Sequence, residues 1–178
     1  VTVVVGVVLA QLIGPSVQQI MKWIGEIIMI STNSNPLIMG IVVAVIVGVV
    51  LTLPISSAAL CLMLELDGLA AGAATIGCCA QMVGFATISF KDNGLKGVLA
   101  QGLGTSMLQM PNIYKNWKIW IPPTIASAII GPIAILFFGM ENSALESGMG
   151  SCGLVGQIGT YNAMKTQYSS TYILSAII

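Results

Sequence analysis

Residues 36–60, PLIMGIVVAVIVGVVLTLPISSAAL, decide how this chain can fold. From Pro36 to Leu53 the stretch carries no charge, and its only polar side chain is that of Thr52. At ~1.5 Å rise per residue such a helix roughly spans the hydrocarbon core of a bilayer, whereas an open strand in lipid would leave its backbone unpaired. We therefore predict a transmembrane helix that begins at Pro36 and stops within a turn of Pro54, because proline blocks its continuation.

The composition of the whole chain places it in a membrane. Of its 178 residues, 56% are hydrophobic and 7% are charged, whereas a soluble domain carries about 25% charged residues. The chain begins and ends inside apolar runs, so we expect a fragment of a longer protein. We predict a single membrane-embedded domain over residues 1–178, with an all-α fold: a polytopic transmembrane helix bundle with broken or re-entrant helices.

The charged residues and the cysteines exclude several functions. Six lysines balance six acidic residues, and histidine is absent. There is thus no basic patch for nucleic acid and no imidazole for catalysis. The four cysteines lack the spacing of metal ligands or of a redox pair. We predict no catalytic residue, no metal and no cofactor, and do not expect an enzyme in its own right.

Other segments extend the helical pattern. Leu69–Phe90 and Ile121–Met140 are long enough to span a bilayer, and the glycines of the first suit close helix packing. A helix over Val1–Ile13 is expected to be interrupted at Gly14-Pro15-Ser16, and its continuation fits a kinked spanning helix or an interfacial one. Lys91-Asp92-Asn93-Gly94 is expected to be a solvent loop.

Three segments place polar groups at membrane depth: Pro54–Ser57, Gly102–Asn112 and Gly148–Thr160. The last two share a Gly-x-Gly-[Ser/Thr] turn followed by a glutamine, which is a weak internal sequence similarity. Broken helices present backbone groups of this kind to ligands in transporters. Two interpretations stay open, a ligand path and ordinary packing of small residues. Gly148–Thr160 carries no charge, so we expect it to fold back toward the membrane.

The order of these motifs resembles the membrane subunit, enzyme IIC, of bacterial sugar phosphotransferase systems. The resemblance rests on NPLIMGIVVAVIVGVVLTLPISSAAL (35–60), GLGTSMLQMPNIYKNWKIWIPPTIASAIIGP (102–132) and GMGSCGLVGQIGT (148–160). It is closest to the branch that includes perfringolysin O regulator-like membrane proteins. The resemblance implies a multi-pass protein of the bacterial cell membrane that binds and translocates a small polar solute of the sugar class.

This resemblance also implies partners and site residues. Soluble phosphocarrier subunits and a second copy of the chain are partners that it leaves open. It places Gln109 and Asn112 near Ser56 and Ser57 at one substrate site. The predicted solute-binding residues are Pro54, Ser56, Ser57, Gln109, Asn112, Gln157 and, at the entrance, Glu141 and Asn142.

The chain departs from the fructose-type pattern at several of these positions. Pro54 is kept from an Asp-Met-Gly-Gly-Pro sequence, but Gln109 stands where a sugar-binding glutamate precedes a proline. The turn near Gly148–Gly153 lacks the histidine of the family's Pro-His-Gly-Gly. These differences put phosphoryl-coupled uptake in doubt. The alternative is a membrane-embedded regulator or sensor that keeps the fold without transport. The carboxylate of Glu141 could equally lie at the membrane interface.

Overall fold

The computed structural model describes residues 2–32 and 35–165, and these are almost entirely helical. The helices, in chain order, are α1 (Thr2–Thr32), α2 (Pro36–Thr52), α3 (Ser57–Met63), α4 (Gly68–Leu99), α5 (Met110–Lys115), α6 (Ile121–Phe138), α7 (Ala144–Ser147) and α8 (Val155–Met164). Single π or 3₁₀ turns lie at Ala100–Gly104, Ser106–Gln109, Trp117–Trp120 and Cys152–Leu154. This confirms the all-α class. The end of the sequence, including the apolar run that begins at Tyr168, lies outside the described residues.

Helices α2, α4 and α6 form the core, and small residues let them approach closely. A Cβ atom at Gly77 of α4 would overlap the backbone of Ala44 in α2. At Gly131 of α6 it would lie 2.6 Å from the carbonyl oxygen of Gly40. The predicted role of small residues in helix contacts is thus confirmed. Val43, Val47 and Cys78 fill the centre of this core and are fully buried.

Helix α2 ends where the sequence predicts. Asn35 caps its start by accepting a hydrogen bond from the Leu37 amide. At the other end Leu53 is already extended, with φ −72° and ψ 159°. Four residues later α3 begins, with the Ser56 hydroxyl accepting from the Ala59 amide as its N-cap. The break around Pro54 is therefore confirmed.

Two other expected interruptions are wrong. Helix α1 continues through Pro15, which costs the helix one backbone hydrogen bond without ending it. Helix α4 continues through Lys91, Asp92 and Asn93, which remain exposed on its surface. The chain reverses only at Gly94, where φ is 58° and ψ is −152°, a conformation that glycine alone adopts readily. The polar run is therefore the end of a helix and not a loop.

Two helical stretches of the described residues are long and apolar enough to cross a membrane. They are Gly68–Gly104, with mean hydropathy 1.5, and Trp117–Phe138, with mean hydropathy 2.0. The apolar helix Pro36–Thr52 is shorter, at 17 residues. Helix α3 has seven residues and cannot span alone.

Candidate functional site

Two hairpins fold back along α4 from its opposite ends. The first hairpin (residues 95–115) follows the reversal at Gly94, and its tip is the π turn and 3₁₀ turn between Ala100 and Gln109. The second hairpin (residues 141–164) follows α6 and contains α7, α8 and the turn between them. Their contacts with α4 give the position of each tip.

The second hairpin can be followed along α4 by its contacts. Asn142 pairs through its backbone with Gly68, at the start of α4. Farther along, the carbonyl oxygen of Gly148 lies 3.7 Å from the thiol of Cys78. The Ser151 hydroxyl then contacts the sulfur of Met82 at 3.5 Å. The hairpin therefore rises from the Gly68 end of α4 toward its middle, as the prediction that this segment folds back requires.

The first hairpin approaches the same point from the other direction. Gly97 packs against Ser89 and Asn93 of α4, and Gly102 lies against Ala86. The two tips meet between Met82 and Ala86, where the Ser151 hydroxyl donates to the Gly102 carbonyl oxygen at 2.6 Å. The Gly-x-Gly-[Ser/Thr] turns that echo each other in sequence are thus in contact.

This meeting point lies near the middle of α4. At ~1.5 Å per residue, Met82 is ~21 Å along the helix from Gly68, and the part from Gly68 to Asn93 measures ~38 Å. Both tips consist of short, irregular turns whose backbone groups are not all used within a helix. Irregular backbone at such a depth is tolerated where protein encloses it or where it lines a cavity.

Two side chains at the break between α2 and α3 form hydrogen bonds with the hairpin tips. The hydroxyls of Thr52 and Ser106 share a hydrogen bond of 3.2 Å, which ties the end of α2 to the first hairpin. The Ser57 hydroxyl donates to the Gly148 carbonyl oxygen at 2.6 Å, which ties the start of α3 to the second hairpin. Three broken segments that are far apart in sequence therefore converge.

Gln157 has unused hydrogen-bonding capacity at this site, and the buried amide oxygens of Gln101 in the first hairpin tip and of Gln81 in α4 likewise have no partner among the described residues. The amide nitrogen of Gln157 lies 3.6 Å from the Cys79 sulfur, a weak contact. Its buried amide oxygen has no hydrogen-bond partner among the described residues. A buried polar atom without a partner is costly, and it commonly indicates a ligand or water that belongs at the site.

Two cavities meet at Gln157. One, of about 360 Å³, extends between α4 and α6 past Thr75 and Ile130. The other, of about 590 Å³, extends past the hairpin tips and includes Gly102 and Ser151. Both are lined mainly by apolar side chains, with Val83 and Gln157 common to the two. An apolar cavity with a few converging polar groups is typical of small-molecule sites.

The family follows from a comparison of the whole sequence. The model of the phosphotransferase system EIIC family matches residues 1–178. The chain belongs to this family. EIIC proteins are the membrane components of phosphotransferase systems and are permease-type transporters. No curated protein and no solved structure gives a significant match to the chain.

The predicted site residues of this EIIC chain fall into four places. Pro54, Ser56 and Ser57 lie at the break between α2 and α3, with Ser56 exposed and Ser57 buried. Gln157 lies at the cavities beside the hairpin tips. The contact between the break and the first hairpin is made by Thr52 and Ser106, so the approach of Gln109 and Asn112 to the two serines stays a prediction.

Gln109 and Asn112 form part of a separate polar cleft of about 330 Å³ near Gly94. The Asn112 amide donates to the Gln109 amide oxygen at 2.8 Å, so the two residues position each other. Asp92 and Lys115 also line this cleft. It lies at the Gly94 end of α4, beyond the meeting point of the hairpin tips.

Glu141 and Asn142 lie at the base of the second hairpin. The Asn142 amide is buried and donates to the Thr75 hydroxyl at 2.7 Å and to the Gly156 carbonyl oxygen at 3.1 Å. Its amide oxygen accepts from the Ser143 amide at 2.7 Å. In this conformation Asn142 connects the two arms of the second hairpin, at Ser143 and Gly156, to Thr75 of α4. That the two residues mark an entrance for solute stays a prediction.

Sequence reasoning left out several polar groups that the fold brings to the site. Ser151 connects the hairpin tips, and Thr52 and Ser106 connect α2 to the first hairpin. The repeated Gly-x-Gly-[Ser/Thr] pattern could have pointed to Ser151. Nothing local in the sequence indicates that Thr52 and Ser106 are paired, since 54 positions separate them.

Proposed function

We propose that this EIIC chain is the multi-pass, solute-translocating core of a bacterial phosphotransferase permease, and that its solute is a sugar or related polyol. The observation that carries the proposal is the convergence of two hairpin tips beside the middle of α4. In such an arrangement only a few turns of irregular backbone would separate the two sides of the membrane. Cavities that a small solute can occupy lie next to these turns.

We place the solute at Gln157. The amide of glutamine offers both a donor and an acceptor, which matches the hydroxyl groups of a sugar. The Ser151 hydroxyl and the Gly102 carbonyl lie on the wall of the adjoining cavity and would complete the polar contacts. Pro54 and Ser57 support the site from the α2–α3 break, because Ser57 holds the Gly148 carbonyl that begins the tip of the second hairpin.

Its membership of the family supports other phosphotransferase components as partners. The phosphoryl donor would act on solute held by this chain. These 178 residues contain no histidine, so any phosphorylated histidine lies outside them. Whether two copies associate stays a prediction of the family resemblance.

The test is substitution of Gln157 by alanine in the full-length protein. Loss of one hydrogen-bonding amide should weaken solute binding and uptake about tenfold, corresponding to roughly 1.4 kcal/mol. Uptake of radiolabelled sugar into proteoliposomes, with the phosphotransferase components supplied, measures the effect. The matched control is Gln18→Ala on the exposed surface of α1, which should leave uptake unchanged.

The same experiment separates transport from regulation. Resemblance to the perfringolysin O regulator-like branch favours a protein that binds solute without moving it. In that case the wild-type protein would bind sugar, Gln157→Ala would bind it more weakly, and neither would support uptake. Unchanged binding in Gln157→Ala would show that the solute does not bind at Gln157.

A further inference from the structure

The charged residues are divided between the two ends of α4. Lysines dominate the Gly94 end, where Asp92 is the acidic residue of the group. These lysines are Lys91, Lys96, Lys115 and Lys118. Acidic residues dominate the Gly68 end, where Lys165 at the end of α8 accompanies them. They are Glu65, Asp67, Glu141 and Glu146.

The first hairpin brings the four lysines to one side of the bundle. In the sequence Lys96 and Lys115 stand at opposite ends of this hairpin, so the two lysine pairs could mark opposite sides of a membrane. In the structure the hairpin returns to the level at which it began, because Lys115 lines a cleft together with Asp92 of α4. The lysine-rich side of a membrane protein faces the cytoplasm. The leaflet on that side carries anionic phospholipids, which attract lysines near the surface.

An apolar groove of about 260 Å³ lies beside the last of these lysines, between α2 and the start of α6. Its walls are the side chains of Val49, Trp117, Trp120, Ile121, Thr124 and Ile125. Trp117 and Ile125 are 66% and 53% exposed, so the groove is open at the surface of the bundle. In a membrane protein such a surface contacts lipid, and tryptophan prefers the depth of the headgroups. The groove therefore suits the part of an acyl chain that is closest to its headgroup.

The groove also contains a polar group without a partner. The indole N–H of Trp120 is buried and has no acceptor among the described residues. The Thr124 hydroxyl already donates to the Trp120 carbonyl oxygen at 2.8 Å and accepts from the Gln81 amide at 3.1 Å. An indole nitrogen can only donate, so the missing partner is an acceptor. The ester and phosphate oxygens of a phospholipid are acceptors, and they adjoin its acyl chains.

We propose that this groove binds one anionic phospholipid of the cytoplasmic leaflet. An acyl chain lies in the groove, an ester or phosphate oxygen accepts from the Trp120 indole, and the headgroup lies beside Lys115 and Lys118. Both lysines are exposed. No acidic residue occurs between Asp92 and Glu141, so the stretch that meets the headgroup attracts an anion. The site lies apart from Gln157, and the proposal does not depend on the solute.

The experiment measures contact between this groove and lipid through tryptophan fluorescence. In the full-length protein every tryptophan except Trp117 and Trp120 is replaced by phenylalanine. Nanodiscs contain increasing fractions of phosphatidylglycerol or phosphatidylcholine with brominated acyl chains, because bromine quenches nearby indoles. We expect half-maximal quenching at a fraction of phosphatidylglycerol at least fivefold lower than that of phosphatidylcholine, since each lysine near an anionic headgroup contributes about fivefold in affinity. Equal quenching by the two lipids would overturn the proposal.

Two variants separate the headgroup from the groove. Lys118→Gln should lower the preference for phosphatidylglycerol about fivefold, whereas the control Lys165→Gln, an exposed lysine at the other end, should leave it unchanged. Equal losses in the two variants would show a response to net charge alone and would overturn the site. Trp120→Phe keeps an aromatic ring but removes the N–H, so it should weaken both lipids about fivefold and leave their ratio intact. Unchanged affinity for both lipids would overturn the hydrogen bond to Trp120.

A second measurement assigns the leaflet. Asn116→Cys places a thiol at an exposed position between the lysines, and Glu65→Cys places one in the exposed turn before α4. A membrane-impermeant maleimide should label Asn116→Cys in inverted membrane vesicles and Glu65→Cys in intact spheroplasts. The protein with only its native cysteines gives the background. The reverse pattern, or labelling of both positions from the same side, would overturn the assignment to the cytoplasmic leaflet.

Discussion

The two hairpins have similar turns at their tips but are held in different ways. Two glycines of the second hairpin are enclosed by other helices, whereas Gly153 is open: a Cβ atom at Gly148 would lie 2.6 Å from the Ser57 carbonyl oxygen, and one at Gly150 would lie 2.6 Å from the Cys78 Cβ and 2.8 Å from the Cys78 carbonyl carbon. At the tip of the first hairpin the glycines are open, although Gly97 near its start packs against Ser89 and Asn93. At Gly104 such an atom would meet no described atom within 4 Å, and at Gly102 it would make an ordinary contact of 3.6 Å with Ala86.

The comparison indicates a fixed hairpin and a movable one. Buried side chains tie the second hairpin to α3 and α4, whereas the first is tied at its tip by single hydroxyl contacts to Thr52 and Ser151. Elements that move in function come from the less tightly bonded parts of a structure. We therefore expect the first hairpin to move during transport while the second hairpin holds Gln157 in place.

The largest effect is expected when a methyl group is added to each tip, which tests whether the two hairpins are packed differently. Gly148→Ala would force the second hairpin away from Ser57 and Ala58, because backbone atoms at 2.6–2.7 Å cannot yield. Overpacking of this kind costs about 1–3 kcal/mol and sometimes more, so the unfolding temperature in detergent should fall clearly. Gly104→Ala is the matched control and should shift it little. Equal shifts would show that the two tips are packed alike.

A second test removes a buried amide from the fixed hairpin. Asn142→Ala deletes hydrogen bonds to Thr75, Gly156 and Ser143, which should cost about 2–3 kcal/mol because buried partners are left unpaired. Hydrogen exchange should then rise throughout α8. The control, directly after the first hairpin, is Asn116→Ala, which removes an exposed cap on the Lys118 amide and should cost about 1 kcal/mol or less. Unchanged exchange in α8 after Asn142→Ala would contradict the anchoring role of this residue.

The smallest expected effect concerns the contact between the tips. Ser151→Ala removes its hydrogen bond to the Gly102 carbonyl, worth about 1 kcal/mol. Spin labels at the exposed positions Leu103 and Leu154 should then show a broader distribution of label-to-label distances by electron paramagnetic resonance. Thr105→Ala, which removes only a local cap, should leave the distribution narrow. A distribution that stays narrow in Ser151→Ala would mean that packing alone holds the tips together.

The features that sequence predicted are those with a local cause. The ring of Pro54 opposes continuation of α2, and the uncharged composition of Gly148–Thr160 is unsuited to water, so the break and the folding back could be predicted locally. Pro15, which α1 passes through, shows that a proline alone does not decide such a break. Gly94 was misjudged because Lys91-Asp92-Asn93 is hydrophilic enough for a loop. The structure keeps these three residues helical and confines the turn to the one residue that tolerates positive φ.

The arrangement of the site depends on contacts that no local pattern encodes. Ser151 and Gly102 are 49 residues apart, and Ser57 and Gly148 are 91 apart. Gln157 was selected from sequence for its amide in an uncharged segment, but its position beside Cys79 and between two cavities follows from how the second hairpin docks on α4. Tertiary packing decided which of several uncharged polar residues share a site.

The anchoring of the second hairpin also has a consequence for biogenesis. Its buried partners Ser57, Thr75 and Cys78 all precede it in the chain, and α6 leads directly into it. The ribosome therefore delivers the hairpin after α2, α3, α4 and the first hairpin have left the exit tunnel. Its docking completes the cavities at Gln157, so a nascent chain that stops after α6 should lack both cavities.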